Sequence, residues 1–165
     1  MITKFFLGIA IVAFTSFCGY VFAKKYRIRK LFFSQWKEFN ERFLNEISYY
    51  KRPLGEFSSK YAYKAEFNDL LETYFSCLQQ DVNAFAEALK TADYGFLSAE
   101  EKIAVRDYFM MLGKGDSLSQ KSYFSAIKET LVKFQVNAEV TYKKYGDLYI
   151  KLGFLCGLLL LILII

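Results

Sequence analysis

The sequence predicts an all-α protein: an antiparallel bundle of about five or six helices, flanked by N- and C-terminal transmembrane helices. Three features carry that expectation. Both ends are long uncharged apolar runs, the segment between them carries ordinary numbers of charges, and its apolar residues recur at steps of three and four without sustained alternation. A chain of 165 residues has room for one domain and its appendages. Its 54% hydrophobic content beside 24% charged residues fits apolar segments joined to a water-facing domain. The expected division is 1–23, an N-terminal transmembrane helix; 24–147, a cytosolic helical bundle; and 148–165, a C-terminal transmembrane helix.

The first run, FFLGIAIVAFTSFCGYVFA from Phe5 to Ala23, holds nineteen residues without a charge. At about 1.5 Å per residue it is long enough to cross a hydrocarbon core of ~30 Å. A cleaved signal peptide is the rival reading, since Lys4 supplies a basic start and Val21-Phe22-Ala23 a small-residue cleavage site. Against it stands the cluster Lys24, Lys25, Arg27, Arg29 and Lys30, which a translocated chain should lack and which the positive-inside rule keeps in the cytosol. Nucleic acid is a poor explanation for a basic cluster beside an apolar span; anionic lipid is a better one.

The middle has a single proline, Pro53, and reads as helix throughout. Phe32, Trp36, Phe39, Phe43, Ile47 and Tyr50 line one face of a first helix, which Pro53 and Gly55 should end. A second helix is expected from about Phe57 to Leu78, and a shorter third over DVNAFAEALK from Asp81. A fourth opens on Ser98 and Glu101, spaced as a capping box, and stops at Gly113. The last starts with Asp116 or Ser117 as cap, with Ser117 and Gln120 as a second candidate box, and can continue through Tyr145 toward the tail. Leu152 to Ile165 is uninterrupted but short, so a span there needs the preceding turn, with Lys151 reaching toward headgroups and Tyr142, Tyr145 and Tyr149 in an interfacial belt. A buried core helix is the alternative, but LLLLILII offers no polar face to water. Lys143, Lys144 and Lys151 again put the basic flank on the domain side, so both flanks assign the middle to the cytosol and both termini to the other side.

Catalytic chemistry has little to be built from. The chain contains no histidine and three cysteines, Cys18, Cys77 and Cys156, which removes Ser-His and Cys-His pairs and the common zinc ligand sets. No cofactor or metal is expected. Gly113-Lys114-Gly115-Asp116 lacks the spacing and the preceding strand of a phosphate loop and reads as a helix stop and turn. Glu100 and Glu101 are explained by a first helical turn, and Cys77 by a core position.

Four motifs in order, NEISYYKRPLGEF (Asn45 to Phe57), AFAEAL (Ala84 to Leu89), MLGKGDSLSQ (Met111 to Gln120) and YIKLGFLCGLLLLILII (Tyr149 to Ile165), resemble the stage III sporulation protein AB family of endospore-forming bacteria. The resemblance covers nearly the whole chain. The family pattern falls on Leu112, Gly113, Asp116 and Gln120, and in the tail on Leu152, Gly153, Gly157 and Leu158. The chain departs from it at Phe85, where the family has Trp, and at Lys114-Gly115, where a second Leu-Gly pair is incomplete. The resemblance implies a cytosolic helical domain similar to those of the F-type platform proteins of type II secretion and type IV pilus machines. It also implies a place in the mother-cell-derived membrane around the forespore, within a channel complex joining the two cells. The implied partners are a secretion-type ATPase like stage III sporulation protein AA and other membrane components of the complex, with self-association also open. The implied role is mechanical or scaffolding, and no catalytic residues transfer.

The tail glycines allow two readings. Gly153 and Gly157 are either ordinary membrane-helix glycines or, as G-x-x-x-G, a smooth patch for close helix packing. Thr15, Gly19 and Ala23 form a matching small-residue stripe on the first span, so the patch could pair the two spans or meet a partner. Two functions fit these features: a membrane platform that engages an ATPase, and a membrane-anchored regulatory or sensor protein whose bundle binds a soluble signalling partner.

Overall fold

The computed structural model describes residues 2–50, 60–78, 85, 89, 94–112, 114 and 116–164. Regular structure among these residues is entirely helical: α1 (Ile2–Asn45), α2 (Ala65–Leu78), α3 (Ala99–Met111), α4 (Ser117–Thr141) and α5 (Asp147–Ile164). A π-helical turn at Glu46–Tyr50 extends α1, and another at Tyr142–Gly146 joins α4 to α5. The described residues thus form four continuous helices, two of them long and apolar. The expected five or six bundle helices are not confirmed among the described residues, within which no break divides either apolar end from the helix beside it. The expected stop at Pro53 and Gly55 lies outside the described residues, as does most of the expected Asp81 helix, of which only Phe85 and Leu89 are described.

The chain packs as two compact units, Met1–Lys30 with Val136–Ile165, and Leu31–Gln135. The second unit has an aromatic core. Phe32, Phe33, Trp36, Phe39 and Phe43 of α1 are buried, as the three-and-four spacing requires. Facing them are Phe67 and Tyr74 of α2, Tyr108 and Phe109 of α3, and Phe124 of α4. The rings meet mostly edge to face, with Tyr108 4.9 Å from Phe124 and Phe43 5.0 Å from Phe124, the geometry that ring quadrupoles favour. Phe33 against Phe134 and Phe43 against Phe124 show that this part of α1 runs antiparallel to α4.

Two buried amides hold this core in register. Asn40 donates to the Phe124 carbonyl at 3.1 Å and accepts from the Tyr108 hydroxyl at 3.1 Å, tying α1, α3 and α4 together. Gln35 accepts from the Lys64 N–H at 2.5 Å and donates to the Lys64 carbonyl at 2.9 Å. Tyr61 to Lys64 are therefore not part of a helix, and α2 starts at Ala65 rather than near Phe57. Ala65 has φ 50°, a left-handed conformation that costs a residue with a Cβ roughly 1 kcal/mol.

The cap of α3 has the expected form. Ser98 Oγ accepts from the Glu101 N–H at 3.2 Å, and a Glu101 carboxylate oxygen accepts from the Ser98 N–H at 2.8 Å. For α4 the cap is Asp116, whose carboxylate accepts from the Ser119 N–H at 3.3 Å. Gln120 does not complete a box with Ser117; its side-chain amide donates instead to the Lys114 carbonyl at 3.1 Å.

Candidate functional site

The first unit is a pair of antiparallel apolar helices, the Ile2–Lys30 part of α1 against the Val136–Ile164 stretch through α5. Small residues set how closely they approach. A Cβ on Gly19 would lie 2.6 Å from the Tyr149 carbonyl oxygen and 3.2 Å from the Gly153 Cα. Conversely, a Cβ on Gly153 would lie 2.7 Å from the Thr15 carbonyl oxygen and 3.0 Å from the Gly19 Cα. Backbone meets backbone here, and no side chain can rotate to relieve an added carbon. At Gly157 an added Cβ would meet the Thr15 hydroxyl and sit 2.8 Å from the Val12 Cα, while at Gly8 it would meet only the movable end of Leu161. Thr15 does not present an orphan hydroxyl to this seam, since it donates back to the carbonyls of Ile11 at 3.0 Å and Val12 at 3.1 Å. Ala23 continues the seam as a buried residue. The structure thus brings together Gly19, Gly153 and Gly157, and occupies the glycine patch within the chain.

The outward faces are apolar. Phe14 is 68% exposed and Ile162 74%, and Phe17, Phe22, Leu155 and Leu159 are exposed with them. Both long helices are long and apolar enough to cross a membrane. Such an outer surface would be costly in water and suits hydrocarbon.

At one end of the pair the character changes. Tyr26 stacks between Tyr145 at 5.8 Å and Tyr149 at 6.0 Å, and Phe22 lies 6.0 Å from Tyr149. Arg27 donates to the Tyr20 hydroxyl at 3.2 Å, and the Lys30 ammonium lies 5.1 Å from the centre of the Tyr142 ring. Gly146, in the π-helical turn, is buried against Tyr142; a Cβ there would come within 2.7 Å of the ring. Lys24, Lys25 and Arg27 are exposed, and Arg29 and Lys30 half-buried.

The Leu112 to Gln120 motif lies in the other unit and has a structural account. Leu112 is buried, and its carbonyl accepts from the Tyr74 hydroxyl at 3.0 Å. Hydrogen bonds from Ser119 hold the Asp116 carboxyl below its ordinary range, as a helix cap does. Gly113 lies outside the described residues. No group of three or more His, Cys, Asp or Glu side chains that could hold a metal occurs among the described residues, and Cys18, Cys77 and Cys156 are free thiols.

Sequence reading missed the Asn40 and Gln35 clamps and the stacking of Tyr26. Asn40 and Gln35 could have been noticed as polar residues on an otherwise apolar face, next to Phe39 and Trp36. Their partners could not, because these lie 84 and 29 residues away.

The fold therefore defines an all-helical protein with two helices compatible with membrane insertion. The family model of stage III sporulation protein AB matches residues 4–165, and the chain belongs to that family, which ties it to the third stage of sporulation. It is not a known family of enzymes. Neither the curated proteins nor the solved structures contain a match.

Proposed function

We propose that the chain is a non-enzymatic integral membrane platform, or scaffold, of a secretion-like channel complex between mother cell and forespore. The observation that carries this reading is the helix pair itself: Gly19 seated on Gly153, an apolar outer face, and basic residues gathered at one end. By the positive-inside rule that end faces the mother-cell cytosol, the compartment assigned to the Leu31–Gln135 unit. Both spans would then cross the mother-cell-derived outer forespore membrane. The helical unit would engage a secretion-type ATPase like stage III sporulation protein AA, and other membrane components of the complex would meet the outward faces of the spans. The aromatic core suits a scaffold: interhelical hydrogen bonds and edge-to-face ring contacts tie its helices to one another.

Crosslinking pull-down of the full-length protein from membranes of sporulating cells tests this reading. Recovery of a secretion-type ATPase, with cysteine labels near both termini inaccessible from the mother-cell cytosol, is the expected result. A soluble signalling partner in place of the ATPase would replace the platform with a membrane-anchored regulatory protein.

A further inference from the structure

We infer that the basic end of the helix pair is a binding surface for anionic phospholipid headgroups, built so that tyrosines hold Lys25, Arg27, Lys30 and Lys144 in place while the band as a whole keeps a surplus of positive charge. This inference rests on the membrane reading above and goes beyond it, because a span needs only to be oriented, whereas this end has the makings of a selective site.

Charge distribution is the first support. Residues 20–30 and 136–151 hold eight Lys and Arg against two acids, Glu139 and Asp147, a surplus of six where the entire chain has a formal charge of +5. Everything outside these two stretches is close to neutral. The antiparallel pairing, with Gly19 on Gly153 and Lys30 on Tyr142, brings the two stretches to the same end of the pair. In that register Lys151 is level with Val21 and Lys143 with Arg29, so at about 1.5 Å per residue the band is roughly 12 Å deep. Snorkelling side chains at the lower edge of the band let its cations reach a headgroup layer thinner than the band itself.

The partners of the cations are the second support. Arg27 is held by the Tyr20 hydroxyl, and the ammonium groups of Lys25, Lys30 and Lys144 lie 5.0, 5.1 and 5.1 Å from the ring centres of Tyr26, Tyr142 and Tyr145. Lys143 pairs with Glu139 at 3.1 Å, and Lys24 and Lys151 are exposed. A ring face or a hydroxyl fixes a cation without neutralising it, as a carboxylate would. The rings of Tyr26, Tyr145 and Tyr149 are themselves stacked, so the platform beneath the cations is preorganised. A phosphodiester at this level would meet several positive charges whose rotamers are already restricted, the condition under which charge-assisted hydrogen bonds favour one lipid class.

The test uses full-length protein in bilayers of phosphatidylcholine containing spin-labelled phosphatidylglycerol or spin-labelled phosphatidylcholine, read by electron spin resonance of the motionally restricted lipid. Phosphatidylglycerol should associate about fivefold more strongly at low salt, the equivalent of ~1 kcal/mol for a cation near the surface, and the preference should shrink at high salt. Joint replacement Arg27→Gln, Lys30→Gln and Lys144→Gln should bring it near unity, while Lys30→Arg with Lys144→Arg should retain it. Lys128→Gln with Lys133→Gln, in the other unit, should leave it unchanged.

Each contrary result overturns the inference in its own way. Retention of the preference in the triple glutamine variant removes the named residues from the site. Its loss in the Lys128 and Lys133 variant reduces it to general charge. Displacement of the lipid by inorganic phosphate at constant ionic strength would assign the site to a soluble phosphate instead. Equal association of both lipids with inserted protein sinks the inference but leaves the membrane reading standing. Extraction of the protein from the bilayers by alkali would overturn both.

Discussion

Gly19 and Gly153 lie so close that a Cβ on either would fall within about 3 Å of the other's Cα. The neighbouring obstacles are the Tyr149 and Thr15 carbonyl oxygens, so the pair admits hydrogen at both positions and nothing larger without moving a helix.

Gly153→Ile should therefore force the two helices apart, destabilising the folded protein in detergent by roughly 1–3 kcal/mol, the usual range for overpacking. Gly8→Ala should cost far less, because it meets only the flexible end of Leu161. Denaturation midpoints of the two variants in mild detergent check the ranking. If Gly157→Ile, which meets Val12 and Thr15, weakens co-purification with membrane partners while insertion persists, the glycine seam also matters for assembly. Unchanged co-purification would confine the seam to the pairing within the chain.

Asn40 sits fully buried between Tyr108 and Phe124. Asn40→Ala leaves the Tyr108 hydroxyl without an acceptor and removes a donor from the Phe124 carbonyl, and should cost about 2–3 kcal/mol. Tyr108→Phe should cost less, since Asn40 keeps its bond to the Phe124 carbonyl. A double-mutant cycle followed by thermal melting should show clear non-additivity between the two; additive losses would mean the bond contributes nothing of its own.

Ala65→Gly should raise stability by about 0.5–1 kcal/mol, because glycine adopts φ 50° without the Cβ clash. Gln35→Leu should act in the opposite direction by releasing Lys64, whose N–H and carbonyl it holds. Urea denaturation midpoints distinguish these outcomes.

Asp116 gives a pH dependence of known sign. Folding lowers its pKa through hydrogen bonds from Ser119, so the folded state favours the ionised carboxylate. Its contribution is complete above the ordinary carboxylate range and is lost as pH falls through the lowered native value. Asp116→Asn can still cap α4 but has no proton to gain, so the melting temperature of this variant should fall less between neutral pH and pH 2 than that of the parent protein. Identical acid profiles would show that the cap is not electrostatic.

Much of the fold could be read from the sequence because its signals are local. Phe32, Trp36, Phe39 and Phe43 recur at helical spacing and are buried; Ser98 and Glu101 are three residues apart and form their box. The start of α2 could not be read in this way. Residues 61–64, Tyr-Ala-Tyr-Lys, carry no glycine or proline to mark a break, but Gln35, distant in sequence, takes up the backbone N–H and carbonyl of Lys64. Helix continuity is decided in a similar way: periodicity marks where helices are, while backbone geometry shows that α1 runs from Ile2 to Asn45 without a break.

By itself, the sequence determined helicity, two apolar ends, their basic flanks and the absence of histidine, since each follows from residue type and short-range spacing. The tertiary structure decided which contacts those elements make. It seated Gly19 on Gly153, put Tyr26 between Tyr145 and Tyr149, and paired Asn40 with Tyr108 across 68 residues. Such choices depend on steric fit and hydrogen-bond geometry between distant segments, to which short-range periodicity is blind.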